Sequence, residues 1–127
     1  MSYALTCSST EDYLRVRIDG TWPSEKPEGI ISDIFNHWAK HHDIALFIDI
    51  RKMKGTPSVL GDYKEAEVFA DTGFCQVGRI AVLDKLGRRE ADNFFEATAF
   101  NRGLQFKFFY GDEQEAIDWL EKKSKND

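Results

Sequence analysis

The sequence is poor in the residues that can stand in for a core. Its two cysteines, Cys7 and Cys75, form no CxxC pair, so neither a disulfide framework nor a zinc ribbon organises the chain, and each is read as a buried thiol packing as a small hydrophobe. No apolar run approaches the roughly 20 residues needed to cross a bilayer, so no integral membrane segment is expected. Met1-Ser2-Tyr3-Ala4 lacks a basic-then-apolar leader, which points to a cytoplasmic protein. Basic charge is in deficit, with 17 Lys and Arg against 22 Asp and Glu and a net charge of -5. That balance argues against nucleic acid or an anionic membrane as the main partner, because both are held by clustered cations. The G-x-G-x-x-G, P-loop and G-x-S-x-G signatures are absent as well. With no set of acid, base and nucleophile to name, a non-catalytic protein without a cofactor is expected.

What is present suits one ordinary core. Of 127 residues, 42% are hydrophobic, among them ten Phe and three Trp, enough to fold without staples. A single domain over residues 1–121 is expected, followed by a charged, frayed tail at 122–127. Tyr3 to Cys7, the turn formers Ser8-Ser9-Thr10 and the alternating Tyr13 to Asp19 read as a hairpin, with Leu14, Val16 and Ile18 on one face and Arg15, Arg17 and Asp19 on the other. Pro27-Glu28 opens a helix to about His41 with an apolar stripe from Ile30 to Ala39. Ile44 to Ile50 is apolar without alternation until Asp49, as in a central strand covered on both faces.

The pattern then repeats. Thr56-Pro57 opens a second helix that Gly73 stops. Arg79 to Asp84 is a second apolar strand, followed by a helix from about Arg88 to Arg102 with Ala91, Phe94, Phe95, Thr98 and Ala99 inward and Gly103 beyond its end. Phe106 to Tyr110 is a strand, and Asp112-x-x-Glu115 is a capping box before a helix that buries Ala116, Trp119 and Leu120. The fold class is α/β, a mixed sheet in the order ββαβαβαβα packed with helices, whose last three strand-to-strand crossovers are long enough to be parallel.

This order, together with Gly20-Thr21-Trp22-Pro23, Asp49-Ile50-Arg51-Lys52-Met53-Lys54-Gly55, Asn93-Phe94-Phe95-Glu96, Asn101-Arg102-Gly103 and Ala116-x-x-Trp119-Leu120, resembles the STAS domain of SpoIIAA-like anti-sigma-factor antagonists and the short bacterial STAS/SEC14-like proteins. The resemblance covers nearly the whole chain. It implies a regulatory or protein-interaction module with a protein partner. In phosphoregulated members the switch is a Ser in an Asp-Ser-x-Gly motif where the third strand gives way to its helix. The matching stretch here reads Gly55-Thr56-Pro57-Ser58-Val59-Leu60-Gly61-Asp62, which makes Ser58 and Thr56 candidate phosphoacceptors. No Asp directly precedes either, and helix capping alone also explains both.

Charge placement offers a second candidate. Arg51, Lys52, Lys54 and Gly55 follow one parallel strand, and Lys85, Arg88 and Arg89 follow the next, so both groups lie at the carboxyl ends of strands, where open α/β sheets bind ligands. Helix N-termini near Pro57 and Arg88 add partial positive charge to this rim. It suits an acidic protein partner or a small anionic or lipidic ligand; solubilising surface charge is the alternative.

Other features have plainer explanations. Asp49 and Asp84, each ending a strand, are expected to accept backbone hydrogen bonds in the following turns rather than to hold a metal. His37 and His41 share one helix without further ligands, so no metal is assigned to them. Cys75 has no visible activating neighbour. Most aromatic residues are core; Phe69, Phe74 and Phe100 fit their helices' inward faces less well and are candidates for a lipid-sized pocket or a homodimer contact.

Overall fold

The computed structural model describes residues 3–23, 26–41, 44–54, 59–85 and 89–121. Strand β1 (Tyr3–Ser9) pairs antiparallel with β2 (Tyr13–Thr21), from Tyr3 opposite Gly20 to Ser9 opposite Leu14. The hairpin therefore runs two residues further than the serines suggested. Thr10 makes the turn, its Oγ1 accepting the backbone N–H groups of Asp12 and Tyr13 at 3.1 Å each. The Ser8 and Ser9 backbones stay in the ladder, because turn propensity yields to pairing.

Helix α1 (Glu28–Ala39) leads to β3 (Ala45–Asp49), and a two-residue strand, β4 (Met53–Lys54), follows at once. Helix α2 (Val59–Thr72) and a 3₁₀ turn (Phe74–Gln76) lead to β5 (Ile80–Asp84), α3 (Arg89–Phe100) to β6 (Phe106–Tyr110), and α4 (Glu113–Glu121) follows. The sheet order is β1-β2-β3-β5-β6, with β4 beside the end of β2; every pairing but the hairpin is parallel. Among the described strands, β4 alone was not expected from the sequence. Its two residues, pairing Gly20 with Met53 and Thr21 with Lys54, are too few to carry a periodic signal.

The unbroken apolar runs of β3 and β5 divide by parity. Leu46, Ile48, Ile80 and Val82 join Leu14, Val16 and Ile18 in the core under α1, α2 and α3, whereas Ala45, Phe47, Ala81 and Leu83 face α4 with Tyr13, Ala116 and Leu120. All five residues of each strand are buried, as a strand covered on both faces requires. Phe69 anchors the larger core, its ring in edge contact with Phe74, Phe95 and Phe106 at centroid distances of 4.7, 5.8 and 5.0 Å.

Helix ends follow their local chemistry. Gly73, at φ 121°, ends α2 where a Cβ would lie 3.1 Å from the Phe35 ring, so both conformation and space favour glycine. Helix α3 closes through Gly103 at φ 83°, with the Leu104 N–H donating to Ala99 O and the Gly103 N–H to Phe100 O, the double bond of a Schellman end. Asp112 caps α4, its Oδ1 accepting from Gln114 N at 3.0 Å and Glu115 N at 3.3 Å.

Candidate functional site

All the parallel strands end at one edge of the sheet, and two different environments meet there. The register decides which residue enters which. Asp49 pairs with Leu83, so Asp84 lies one residue further along and faces the opposite side of the sheet. Two strand-ending aspartates that look alike in sequence are thus separated. Each accepts a backbone N–H from the following turn, Asp49 from Arg51 at 3.1 Å and Asp84 from Lys85 at 2.6 Å.

On the α4 side, Asp49 is clamped by two arginines. Arg51 Nε and Nη2 donate to its two oxygens at 3.0 and 2.8 Å, and Arg15 Nη2 donates at 3.2 Å. Glu113, in the first turn of α4, accepts from Arg15 at 2.7 and 3.1 Å and lies 3.5 Å from Arg51. Burial alone would push the Asp49 carboxyl up, but the hydrogen bonds and charge of Arg51, with Arg15, outweigh it and hold the group below its ordinary value. The Arg15 hydrogen bond likewise lowers Glu113. The cluster fastens α4 to the first half of β2 and the end of β3, and it draws Arg51 away from the basic rim.

The remaining rim residues differ in their ties. Lys52 and Lys54 are exposed. Lys85 is exposed too, and its Nζ donates to Met53 O at 3.0 Å, bridging the ends of β4 and β5. Arg89 is exposed with its guanidinium 4.7 Å from the Tyr110 ring centroid. Gly55, Thr56, Ser58 and Arg88 lie outside the described residues.

On the other side, beneath α1, α2 and α3, the strand ends border a cavity of about 80 Å³. Its walls carry Trp22, Phe69, Phe95, Phe106 and Phe108, together with aliphatic residues of β2, β3 and β5. Three acidic residues line it, Glu65, Asp84 and Asp92, at 4%, 1% and 7% exposure. Trp22 Nε1 donates to Glu65 at 2.6 Å, and the Tyr110 hydroxyl donates to Asp92 at 3.1 Å. Burial, then the nearby charge of Asp92 and the hydrogen bond to it, raise the Tyr110 phenol well above its ordinary value.

Several expectations require correction. Phe69 and Phe74 are buried in the main core, whereas Phe100 is 75% exposed, so the three do not form one surface. Phe94, expected inward, is 39% exposed, and its neighbour Asp92 turns in instead. Cys75 is exposed and Cys7 is half-buried, its thiol pushed up by burial. Among the described residues, no three His, Cys, Asp or Glu groups converge as a metal set, and no helix is long and apolar enough to cross a membrane.

Arg15, Glu113, Trp22, Glu65 and Asp92 were not singled out from the sequence. Arg15 had a signal, since an arginine in an otherwise clean strand alternation faces either water or a partner. Glu65 and Asp92 had none, because a carboxylate on an amphipathic helix reads as its solvent face.

No protein-family model and no curated protein sequence matches the chain. The solved structures that share its architecture include two at 20% identity or below. One is an uncharacterised protein of the DUF3478 family with a SpoIIAA-like fold from Shewanella loihica PV-4, at 20% identity and TM-score 0.60 over 93% of each chain. The other is an anti-sigma factor antagonist from Mycobacterium paratuberculosis, at 15% identity and TM-score 0.61 over 94% of each chain.

Proposed function

With a SpoIIAA-like fold as the premise, we propose that the protein is a non-catalytic regulatory module that binds a protein partner through the carboxyl-end rim. The carrying observation is the exposure of Lys52, Lys54, Lys85 and Arg89 at one edge of a chain whose net charge is -5. Such a patch on an acidic protein selects an acidic partner surface and rejects like-charged ones. A non-catalytic role accords with Asp49, the buried strand-end carboxylate on the α4 side, being held by two arginines.

In this reading Gly55 and Arg88 extend the rim, and Ser58 or Thr56, next to the start of α2, is the phosphoacceptor. A phosphate there would add nearly two negative charges within four residues of Lys54 in sequence and just before Val59, where α2 begins, and a helix N-terminus stabilises such charge. It would thereby weaken the hold on an acidic partner.

The test is quantitative co-purification from the native host. A protein recovered with the wild type and with Lys40→Glu, at the far end of α1, but lost with Lys52→Glu/Lys54→Glu, supports the proposal. An unchanged set of recovered proteins contradicts it.

A further inference from the structure

The two edges of the sheet are built differently. At one edge, the outward Phe108 N–H of β6 is already bonded to Glu96 Oε2 at 2.7 Å, and Lys107 is exposed. An occupied donor and an inserted charge are the means by which proteins blunt an edge strand. Strand β1 forms the other edge. Among the described residues it pairs with β2 alone, and its seven residues, Tyr3 to Ser9, include neither a charge nor a proline. Its outer row of backbone donors and acceptors is therefore a template for another strand.

The surroundings of that row are complementary to themselves. Tyr3, Leu5 and Cys7 are half-buried against the main core, while Ala4, Thr6 and Ser8 are exposed on the opposite face. A two-fold rotation about Thr6 lays a second β1 antiparallel along all seven residues. Leu5 then meets Cys7 of the second copy, which continues the core across the seam, and Thr6 meets its own equivalent, a favourable cross-strand pair. Helix α1 runs along the same edge. Asp33 accepts from the Tyr3 hydroxyl at 2.8 Å. Lys40, seven residues further on the same helix face, lies close enough to Cys7 for its charge to act on the thiol. Both are exposed, and the rotation carries the Asp33 end of one α1 to the Lys40 end of the other, so opposite charges face each other twice. The blunted β6 edges leave no strand for further growth, so the assembly closes at two copies.

We propose that the partner of the β1 edge is a second copy of this chain, and that the two β1 strands pair antiparallel about Thr6 to make one continuous sheet. The seam uses none of the rim residues, so it is independent of the binding proposed there.

Sedimentation equilibrium of the wild-type protein is expected to show a mass that rises with concentration from one chain to two and no further. Asp33→Lys and Lys40→Asp should each weaken the association about tenfold, and the double exchange should restore most of it. Register is read by cysteine pairs in a Cys7→Ser/Cys75→Ser background. Thr6→Cys should oxidise to a covalent dimer, because directly opposed Cα atoms lie about 4.5–5.5 Å apart. Ala4→Cys, on the same exposed face, should not, because its two-fold mates lie roughly 14 Å apart. A mass of one chain at every concentration, growth beyond two chains, failure of the double exchange to restore association, or equal cross-linking at Ala4 and Thr6 would each overturn the proposal. The wild-type mass and the cysteine comparison stand even if the charge variants do not fold.

Discussion

Replacing Asp49 with Asn separates a structural role from a binding role at the strand ends. Asp49 is 4% exposed and accepts four hydrogen bonds, three from Arg51 and one from Arg15. Asn keeps the size and one acceptor oxygen but removes the charge. Breaking a fully buried ion pair costs about 3–5 kcal/mol. Here the arginine side chains are 26% and 39% exposed and regain part of their hydration, and Glu113 still compensates Arg15. We therefore expect a loss of about 2 kcal/mol. At about 3–5 °C per kcal/mol for a chain of this length, the melting temperature should fall by about 6–10 °C at neutral pH.

The pH dependence has a definite sign. The folded-state Asp49 carboxyl titrates below its unfolded value, so its contribution is complete above about pH 4 and disappears as pH falls through the folded value. Thermal unfolding of wild type and Asp49→Asn, followed by circular dichroism, should therefore converge as the pH is lowered through the folded value. A melting-temperature difference under about 2 °C at neutral pH, or a gap that persists undiminished in acid, would refute the reasoning and return Arg51 to the rim.

Other substitutions probe the remaining parts. Phe69→Ala removes a ring that touches three others and should cost about 3–5 kcal/mol in denaturant unfolding, whereas Phe100→Ser, at a 75% exposed position, should change stability by less than about 0.5 kcal/mol. Trp22→Phe takes the indole donor from buried Glu65 and should cost about 1–3 kcal/mol in denaturant unfolding; a neutral result would mean that this hydrogen bond adds no net stability. Gly73→Ala places a side chain at φ 121° against Phe35 and should lower stability by about 1–3 kcal/mol, measured by the shift in the urea midpoint.

The fold was largely legible because its signals were periodic. The alternation of β2, the apolar runs of β3 and β5 and the stripe of α1 each name a face and a covering layer, and the pairing pattern follows. Strand β4 was not legible, since two residues have no period and its pairing with Gly20 and Thr21 is set by where the chain leaves Asp49. The site was legible only in outline. Spacing brought Lys52, Lys54, Lys85 and Arg89 to one edge, but Arg51 is turned under α4 by Asp49, two residues away in sequence, and by Glu113 in the first turn of α4. The acidic cavity was hidden for the same reason. Glu65 and Asp92 come from helices on which a carboxylate ordinarily faces water, and only the packed sheet shows that Trp22 and Tyr110 hold them inside.

Native mass spectrometry of the protein purified gently from its host reads partner binding at the rim in one spectrum. The expected result is a complex of this chain with a second protein that is lost in Lys52→Glu/Lys54→Glu and persists in Lys40→Glu. A wild-type spectrum holding only the unmodified chain, or a partner that the rim substitutions leave bound, would contradict it.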